Sequence, residues 1–300
     1  MKRIVLTFAL AWALASPLLA ATLHRDVAYG QADGASLLCD ISVPDGTGTH
    51  PVAILVHGGG WSAGDKSGSD HPGNGADVTP WFAAFADANF TWVSINYRLA
   101  PAHRLPAGFE DVQTAIRWVK AHATEYHGDP TQIVLVGHSA GGHLVCLAAT
   151  LAGPDTRVQA VVGFAAVTDL EADSDRRGGL SPSLQHLLGL RHDVTPESRV
   201  VLRNLSPINH VHRDMPPFLL LHGDADKSVP YAQSLAFQRR LQAEGVRCDL
   251  IAIRGAPHGL LTWANAQPDY ARRMAHWLHD VLPPAAPPSA TVVPPGAARA

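Results

Sequence analysis

The feature that most constrains the fold is a glycine-rich segment between a buried strand and a helix. Residues 133–136 are apolar and mostly β-branched, which predicts a parallel strand covered on both faces. Residues 143–151 predict a helix. Between them, Ser139 is flanked two residues away on each side by Gly137 and Gly141, which lets the chain reverse sharply and leaves the hydroxyl exposed beside a helix N-terminus. A nucleophile needs this geometry.

Gly-x-Ser-x-Gly also occurs by chance in glycine-rich loops, so the rest of the chain must supply the partners of a nucleophilic serine. These are a base, a carboxylate that orients the base, and donors for an oxyanion. His258, on a loop between proline and glycine, is the candidate base. Asp224 and Asp226 compete for the place of the carboxylate, and either one gives the order Ser, Asp, His along the chain.

A second glycine-rich segment follows another predicted buried strand, residues 52–56. His57 is succeeded there by three consecutive glycines, residues 58–60. Without side chains in the way, their backbone N–H groups can approach a substrate oxygen, as an oxyanion hole requires. The alternative is an ordinary flexible turn. Trp61 comes next, and we expect it either to line a pocket or to contribute its own amide to the hole.

Together these motifs resemble the α/β-hydrolase serine esterases with an HGGG-type oxyanion loop, which include hormone-sensitive-lipase-like enzymes and bacterial feruloyl and acetyl esterases. The resemblance covers residues 37–282 and rests on residues 57–61, 96–101, 137–142, 222–226 and 257–259. It implies an α/β fold with a mostly parallel, doubly wound sheet, helices on both faces and a small cap insertion.

The same resemblance implies the roles of individual residues. The family spacing places the acid at the second of the two aspartates. The implied catalytic residues are Ser139, Asp226 and His258. The implied oxyanion hole consists of the amides of Gly59, Gly60 and Ala140, and the implied substrate-binding residues are Trp61 and His138.

The ends of the chain differ in composition from its centre. Residues 1–20 have two basic residues, a short apolar run and small residues at the exit, which predicts a secretory signal peptide and a periplasmic or secreted protein. An uncleaved membrane anchor is the alternative. Residues 21–282 predict one catalytic domain, in which residues 168–217 are too long for an ordinary connection and predict the cap insertion. Residues 283–300, rich in proline and alanine, predict a disordered tail.

Composition excludes several classes of partner. The net charge of −3 and the lack of any Lys/Arg-rich stretch argue against nucleic acid. The 17 histidines are scattered without the spacing of a metal site, so we expect neither a metal nor a cofactor. The expected partner is a small-molecule ester, with no stable membrane association once the signal peptide is removed. The sequence makes no prediction of the oligomeric state.

These features predict hydrolysis of short-chain or aromatic-acid esters through an acyl-enzyme, with carbohydrate-linked esters among the candidates. The predicted cap is charged and interrupted by proline, and the loop after Trp61 is polar, which disfavours aggregated lipid as a substrate. One alternative is the same machinery acting on another bond, as in an amidase, an aryl formamidase or a dipeptidyl-peptidase-like enzyme. The other is a catalytically inactive hydrolase fold that serves as a binding module.

Overall fold

The computed structural model describes residues 21–46, 48–68 and 78–282. The predicted signal peptide and the predicted disordered tail both lie outside these residues. So do residues 69–77, which belong to the polar loop after Trp61.

One sheet of eight strands runs through the described chain, in the order β1-β2-β4-β3-β5-β6-β7-β8. The first two strands pair antiparallel, β2 also pairs antiparallel with β4, and all remaining pairs are parallel. This confirms the predicted mostly parallel α/β-hydrolase sheet. The strands are β1 (Thr22–Ala32), β2 (Ala35–Val43), β3 (His50–Val56), β4 (Thr91–Ile95), β5 (Gly128–His138), β6 (Ala160–Phe164), β7 (Phe218–Gly223) and β8 (Cys248–Ile253).

The central strands are apolar along both faces because helices cover the sheet on each side. One buried cluster includes residues of α2 and α3, and the other includes residues of α1 and α9. The helices are α1 (Thr79–Asp87), α2 (Ala107–His122), α3 (Ala140–Thr150), α4 (Leu170–Arg177), α5 (Pro182–Leu188), α6 (Pro196–Asn204), α7 (Ala232–Ala243), α8 (Trp263–Ala266) and α9 (Tyr270–Val281).

Three short helices, α4 to α6, occupy the connection between β6 and β7. Their ends are set by local chemistry, because the side chains of Asp169, Ser181 and Thr195 each accept a backbone N–H of the first turn. Gly178 and Gly189 end α4 and α5 in the left-handed conformation. This inserted segment therefore consists of separate, well-capped helices. Over the described residues, no helix has the length and apolar character needed to cross a membrane.

Candidate active site

Ser139 lies at the turn between β5 and α3, with a φ angle of +54°. Its backbone N–H donates to the carbonyl of Phe164 on β6 at 2.9 Å, which fixes the turn to the neighbouring strand. Gly141 has no room for a side chain, since a Cβ there would lie 2.2 Å from the Val56 carbonyl oxygen and 2.3 Å from that of His57. The serine turn is thus packed directly against the end of β3, where the glycine loop begins.

Ser139, Asp226 and His258 come together at the carboxyl ends of β5, β7 and β8. His258 Nε2 lies 2.9 Å from Ser139 Oγ, and His258 Nδ1 lies 2.6 Å from Asp226 Oδ2. Because an ionised carboxylate can only accept, Nδ1 carries the imidazole proton and leaves Nε2 free to accept the serine proton. The arrangement can therefore activate Ser139 as a nucleophile.

The Asp226 side chain is fully buried and satisfied on both oxygens. Oδ1 accepts the backbone N–H groups of Ser228 at 2.8 Å and Val229 at 2.9 Å. Burial alone would raise the pKa of Asp226, but hydrogen bonds from His222 and His258 and from the Val229 amide outweigh it, so this pKa is held well below its usual range. The Asp226 carboxylate is therefore ionised at neutral pH.

His222 holds the far side of this carboxylate and was not singled out as a functional residue from the sequence. Its Nε2 lies 2.9 Å from the Val229 carbonyl and 3.3 Å from Asp226 Oδ2, two acceptors that require a proton on Nε2. Its Nδ1 then accepts from the Ser234 hydroxyl at 2.7 Å. The sequence signal was its place in the 222–226 segment, but the pairing with Ser234 depends on the packing of α7 against β7.

The glycine loop exposes backbone donors beside Ser139. Gly59 and Gly60 have φ angles of +103° and +60°, and a Cβ on Gly59 would lie 2.1 Å from the Ala63 carbonyl oxygen. That tight turn is closed by the Ser62 and Ala63 amides, which both donate to the Gly59 carbonyl at 3.1 Å. Within residues 21–46, 48–68 and 78–282, the amides of Gly59, Gly60 and Ala140 donate to no protein acceptor. They remain available to a substrate oxygen.

A polar network holds the following segment in place. The Asp65 carboxylate accepts from the amide and hydroxyl of Ser67 and from the Asn96 side chain. Lys66 Nζ lies 2.7 Å from the buried Asp40, and its backbone N–H donates to Asn96 Oδ1 at 2.6 Å. These contacts attach residues 65–67 to β2 and to the end of β4, and so they hold the glycine loop that precedes them in position.

Trp61 connects the glycine loop to the inserted segment. Its indole Nε1–H donates to His143 Nδ1 at 3.3 Å, and His143 Nε2 donates to the Leu205 carbonyl at 2.8 Å. Burial lowers the pKa of His143 to about 4, so the ring is neutral and can hold both bonds. Trp61 is also among the residues that line the cavity above Ser139, and its role in binding substrate stays a prediction.

A cavity of about 470 Å³ opens over Ser139 and His258, within the range of pockets that hold small molecules. Gly59, Gly60 and Trp61 form one side. Side chains of the inserted segment and of the loop after Asp226 form the rest: Val167, Asp173, Arg177, Ser181, Pro182, Ser183, Leu184, Ser228 and Val229. Which residues of the insertion face the site could not be read from the sequence, because its helices are too short for a clear apolar period.

The structure does not bring His138, for which substrate binding is expected, to the wall of the cavity. Its ring is fully buried and is not among the residues that line the cavity. Nε2 instead lies 2.9 Å from the carbonyl oxygen of His258, and the two imidazole rings are 4.8 Å apart. Burial lowers the pKa of His138 to about 3, which keeps the ring neutral. The side chain supports the backbone of the His258 loop from below.

Comparisons with known proteins find relatives of this chain in sequence and in structure. Residues 39–241 match the BD-FAE family. The probable carboxylic ester hydrolase LipM of Mycobacterium tuberculosis is 36% identical over 229 residues, which are 72% of this chain and 51% of LipM. The chain thus spans about half the length of the first curated relatives that it matches.

Two solved structures extend the likeness to three dimensions. A truncated carbohydrate esterase from gut microbiota superposes with a TM-score of 0.72 at 25% identity, over 86% of this chain and 95% of that one. The butyrate-bound esterase Est2 of Thermogutta terrifontis gives a TM-score of 0.64 at 26% identity, over 87% and 92%. The BD-FAE match covers well over half of the chain, and the chain has the α/β-hydrolase fold described above. The chain therefore belongs to the BD-FAE family.

Proposed function

We propose that this protein is a serine carboxylic-ester hydrolase that works through an acyl-enzyme. The observation that carries the proposal is the row of hydrogen bonds that starts at Ser139, beside the amides of the glycine loop. His258 Nε2 lies 2.9 Å from Ser139 Oγ, and His258 Nδ1 lies 2.6 Å from Asp226 Oδ2. Esterase names among the relatives and structural neighbours support the same reaction class.

In the proposed reaction, His258 Nε2 takes the proton of Ser139 as Oγ attacks the ester carbonyl. The negative charge that forms on the carbonyl oxygen is stabilised by the amides of Gly59, Gly60 and Ala140. The C–O bond to the alcohol then breaks, and the alcohol leaves with the proton from His258. Water, deprotonated by His258, attacks the acyl-enzyme, and the acid leaves as Ser139 regains its proton. Asp226 stabilises the imidazolium in both halves of the cycle.

The proposed substrates are esters of short-chain or aromatic acids, including those linked to carbohydrate. A cavity of about 470 Å³ with Val167, Leu184 and Val229 in its wall suits a short acyl group. Each further methylene that found no apolar wall would forgo about 0.8 kcal/mol of burial. The carbohydrate esterase and the butyrate-bound esterase among the structural neighbours are consistent with this class.

An acyl-length series tests the proposal. We expect kcat/KM for 4-nitrophenyl esters to be greatest between acetyl and about hexanoyl and then to fall, with long-chain triglycerides poor. Continued increase to palmitoyl esters would contradict it. Anilides of the same acids separate an esterase from an amidase. A fluorophosphonate probe should add its mass to the peptide that contains Ser139, and a Ser139→Ala variant provides the matched control; no labelling would favour an inactive binding module.

A further inference from the structure

Hydrogen-bond donors are concentrated on the wall of the catalytic cavity that the inserted segment provides. Arg177 lies on this wall at the end of α4, and Ser181 and Ser183 lie at the start of α5. Ser183 closely approaches the glycine loop, because a Cβ on Gly60 would lie 2.8 Å from Ser183 Oγ. Donors from the insertion are therefore part of the same cavity as Ser139.

Arg177 is held in place by only part of its guanidinium. Nε donates to Asp173 Oδ2 at 2.8 Å, and Nη2 donates to the carbonyl of Ser228 at 2.6 Å. Of the five N–H bonds of a guanidinium, these contacts use two. Nη1 has no acceptor among the residues that the structure describes, and the side chain is 33% exposed. Arg177 is thus oriented by the protein while it keeps donors for a ligand.

The charge of this guanidinium is only partly offset, because the one carboxylate that it pairs with is also paired with a second arginine. Asp173 is shared, since its Oδ1 also accepts from Arg176 at 2.7 Å. Arg176 does not line the cavity, so it pairs with Asp173 from outside the cavity wall. The carboxylate of the catalytic group, Asp226, is fully buried and directed at His258 and His222. Arg177 is therefore the only arginine or lysine among the described residues that line the cavity.

We propose that Arg177 determines specificity by binding a carboxylate on the substrate, so that this enzyme favours esters that carry an anionic group near the scissile bond. The planar guanidinium, with its remaining parallel donors, matches the two oxygens of a carboxylate better than it matches a single hydroxyl. The proposal rests on the ester hydrolysis proposed above and names the substrate class of that site.

Two pairs of esters test it, and in each pair the members differ only in a carboxylate or its primary amide. Monoethyl glutarate and its terminal amide place the group on the acyl side. The acetate esters of 3-hydroxypropanoate and of 3-hydroxypropanamide place it on the alcohol side. With proton release followed at constant pH, kcat/KM should favour the carboxylate about tenfold in one pair, because charge-assisted hydrogen bonds are the stronger ones. A ratio of one or less in both pairs overturns the proposal.

Arg177→Gln should remove the preference for the carboxylate, measured as the ratio of kcat/KM for the two members of a pair. Arg176→Gln is the matched control: it removes a neighbouring arginine that also pairs with Asp173, and it should keep the preference. If Arg177→Gln slows both members of a pair equally, Arg177 only anchors the Ser228 loop and the proposal is wrong. An equal loss of preference in Arg176→Gln would also overturn it, because the effect would then be general electrostatics.

Binding to the Ser139→Ala variant separates this inference from the proposed function. Titration calorimetry on that variant needs no turnover, and the carboxylate ester should bind about tenfold more tightly than its amide. Equal affinities would overturn the inference even if neutral short-chain esters are hydrolysed well. Failure to hydrolyse any ester, with no labelling of Ser139 by a fluorophosphonate, would instead remove the proposed function.

Discussion

Asp226→Asn is the substitution whose consequence the structure defines most closely, because the hydrogen bonds around the side chain fix which way the new amide would face. The Ser228 and Val229 amides both donate to Oδ1, so the asparagine oxygen must take that position. Its NH₂ group then faces His258 Nδ1 in place of Oδ2. The imidazole can satisfy this donor only with its proton on Nε2, and that tautomer cannot accept the proton of Ser139.

The reversed amide would restore the productive tautomer at the expense of the two backbone donors. Leaving two buried N–H groups opposite an NH₂ group costs about 1–3 kcal/mol each. A total near 4 kcal/mol corresponds to a productive population of about one in a thousand. We therefore expect Asp226→Asn to lower kcat about 10³-fold to 10⁴-fold, with little change in the fold, since the size of the side chain is conserved.

Asp224→Asn is the matched control. Asp224 is exposed, and its Oδ1 accepts the Gly255 amide at 2.6 Å, a bond that an asparagine oxygen can keep. Steady-state hydrolysis of 4-nitrophenyl acetate gives kcat for both variants, and circular dichroism checks that they are folded. If Asp226→Asn retained kcat to within tenfold, or if Asp224→Asn lost as much, the acid would have been assigned to the wrong aspartate and the reasoning on amide orientation would fail.

Three other predictions follow from the same site. Ser139→Ala and His258→Ala should each lower kcat by ~10³-fold or more, and the double variant should be little worse than either, whereas multiplicative losses would show that they do not act as one unit. Gly59→Ala should lower kcat ~10²-fold or more, because its Cβ would lie 2.1 Å from the Ala63 carbonyl oxygen and must displace the donors; wild-type kcat would contradict the assignment of the hole. The pKa of His143 is about 4 when folded, below the ordinary value of about 6.5, so the unfolded chain binds more protons between these pH values, and the free energy of unfolding should fall by about 3 kcal/mol as the pH decreases through that window. Urea unfolding of wild type and His143→Gln measures this, and an equal pH dependence in both would refute it.

Short sequence motifs predicted the strand, turn and helix around Ser139. The turn at Ser139 could be predicted because a buried strand, a glycine pair and a helix are all encoded within a few neighbouring residues. By contrast, β1 went unpredicted: it is an edge strand whose residues are mostly exposed, so it lacks the apolar run that marks the central strands. An edge strand such as β1 forms by pairing with its neighbour, here β2, and its own residues do not show that pairing.

The direction of individual side chains was harder to predict. His138 is adjacent to Ser139, but its ring is buried and contacts the His258 carbonyl instead of lining the cavity. The role of His222 depends on how α7 packs against β7, and that of Arg177 on a contact with Ser228, which is 51 residues away in sequence. Motif spacing identifies which residues gather at an edge of the sheet, whereas tertiary packing decides which of them face the substrate.

The close approach of Gly141 to the end of β3 has a consequence for how such a protein can diversify. The two segments that are proposed to supply the oxyanion donors are in direct backbone contact at Gly141, where there is no room for a side chain. The walls of the cavity come instead from short helices that are capped independently. In the proposed ester hydrolase, substitutions in those helices would therefore alter which ester is accepted without altering the spacing of the reacting groups, so new specificities could arise, or be engineered, on a chemical centre that stays the same.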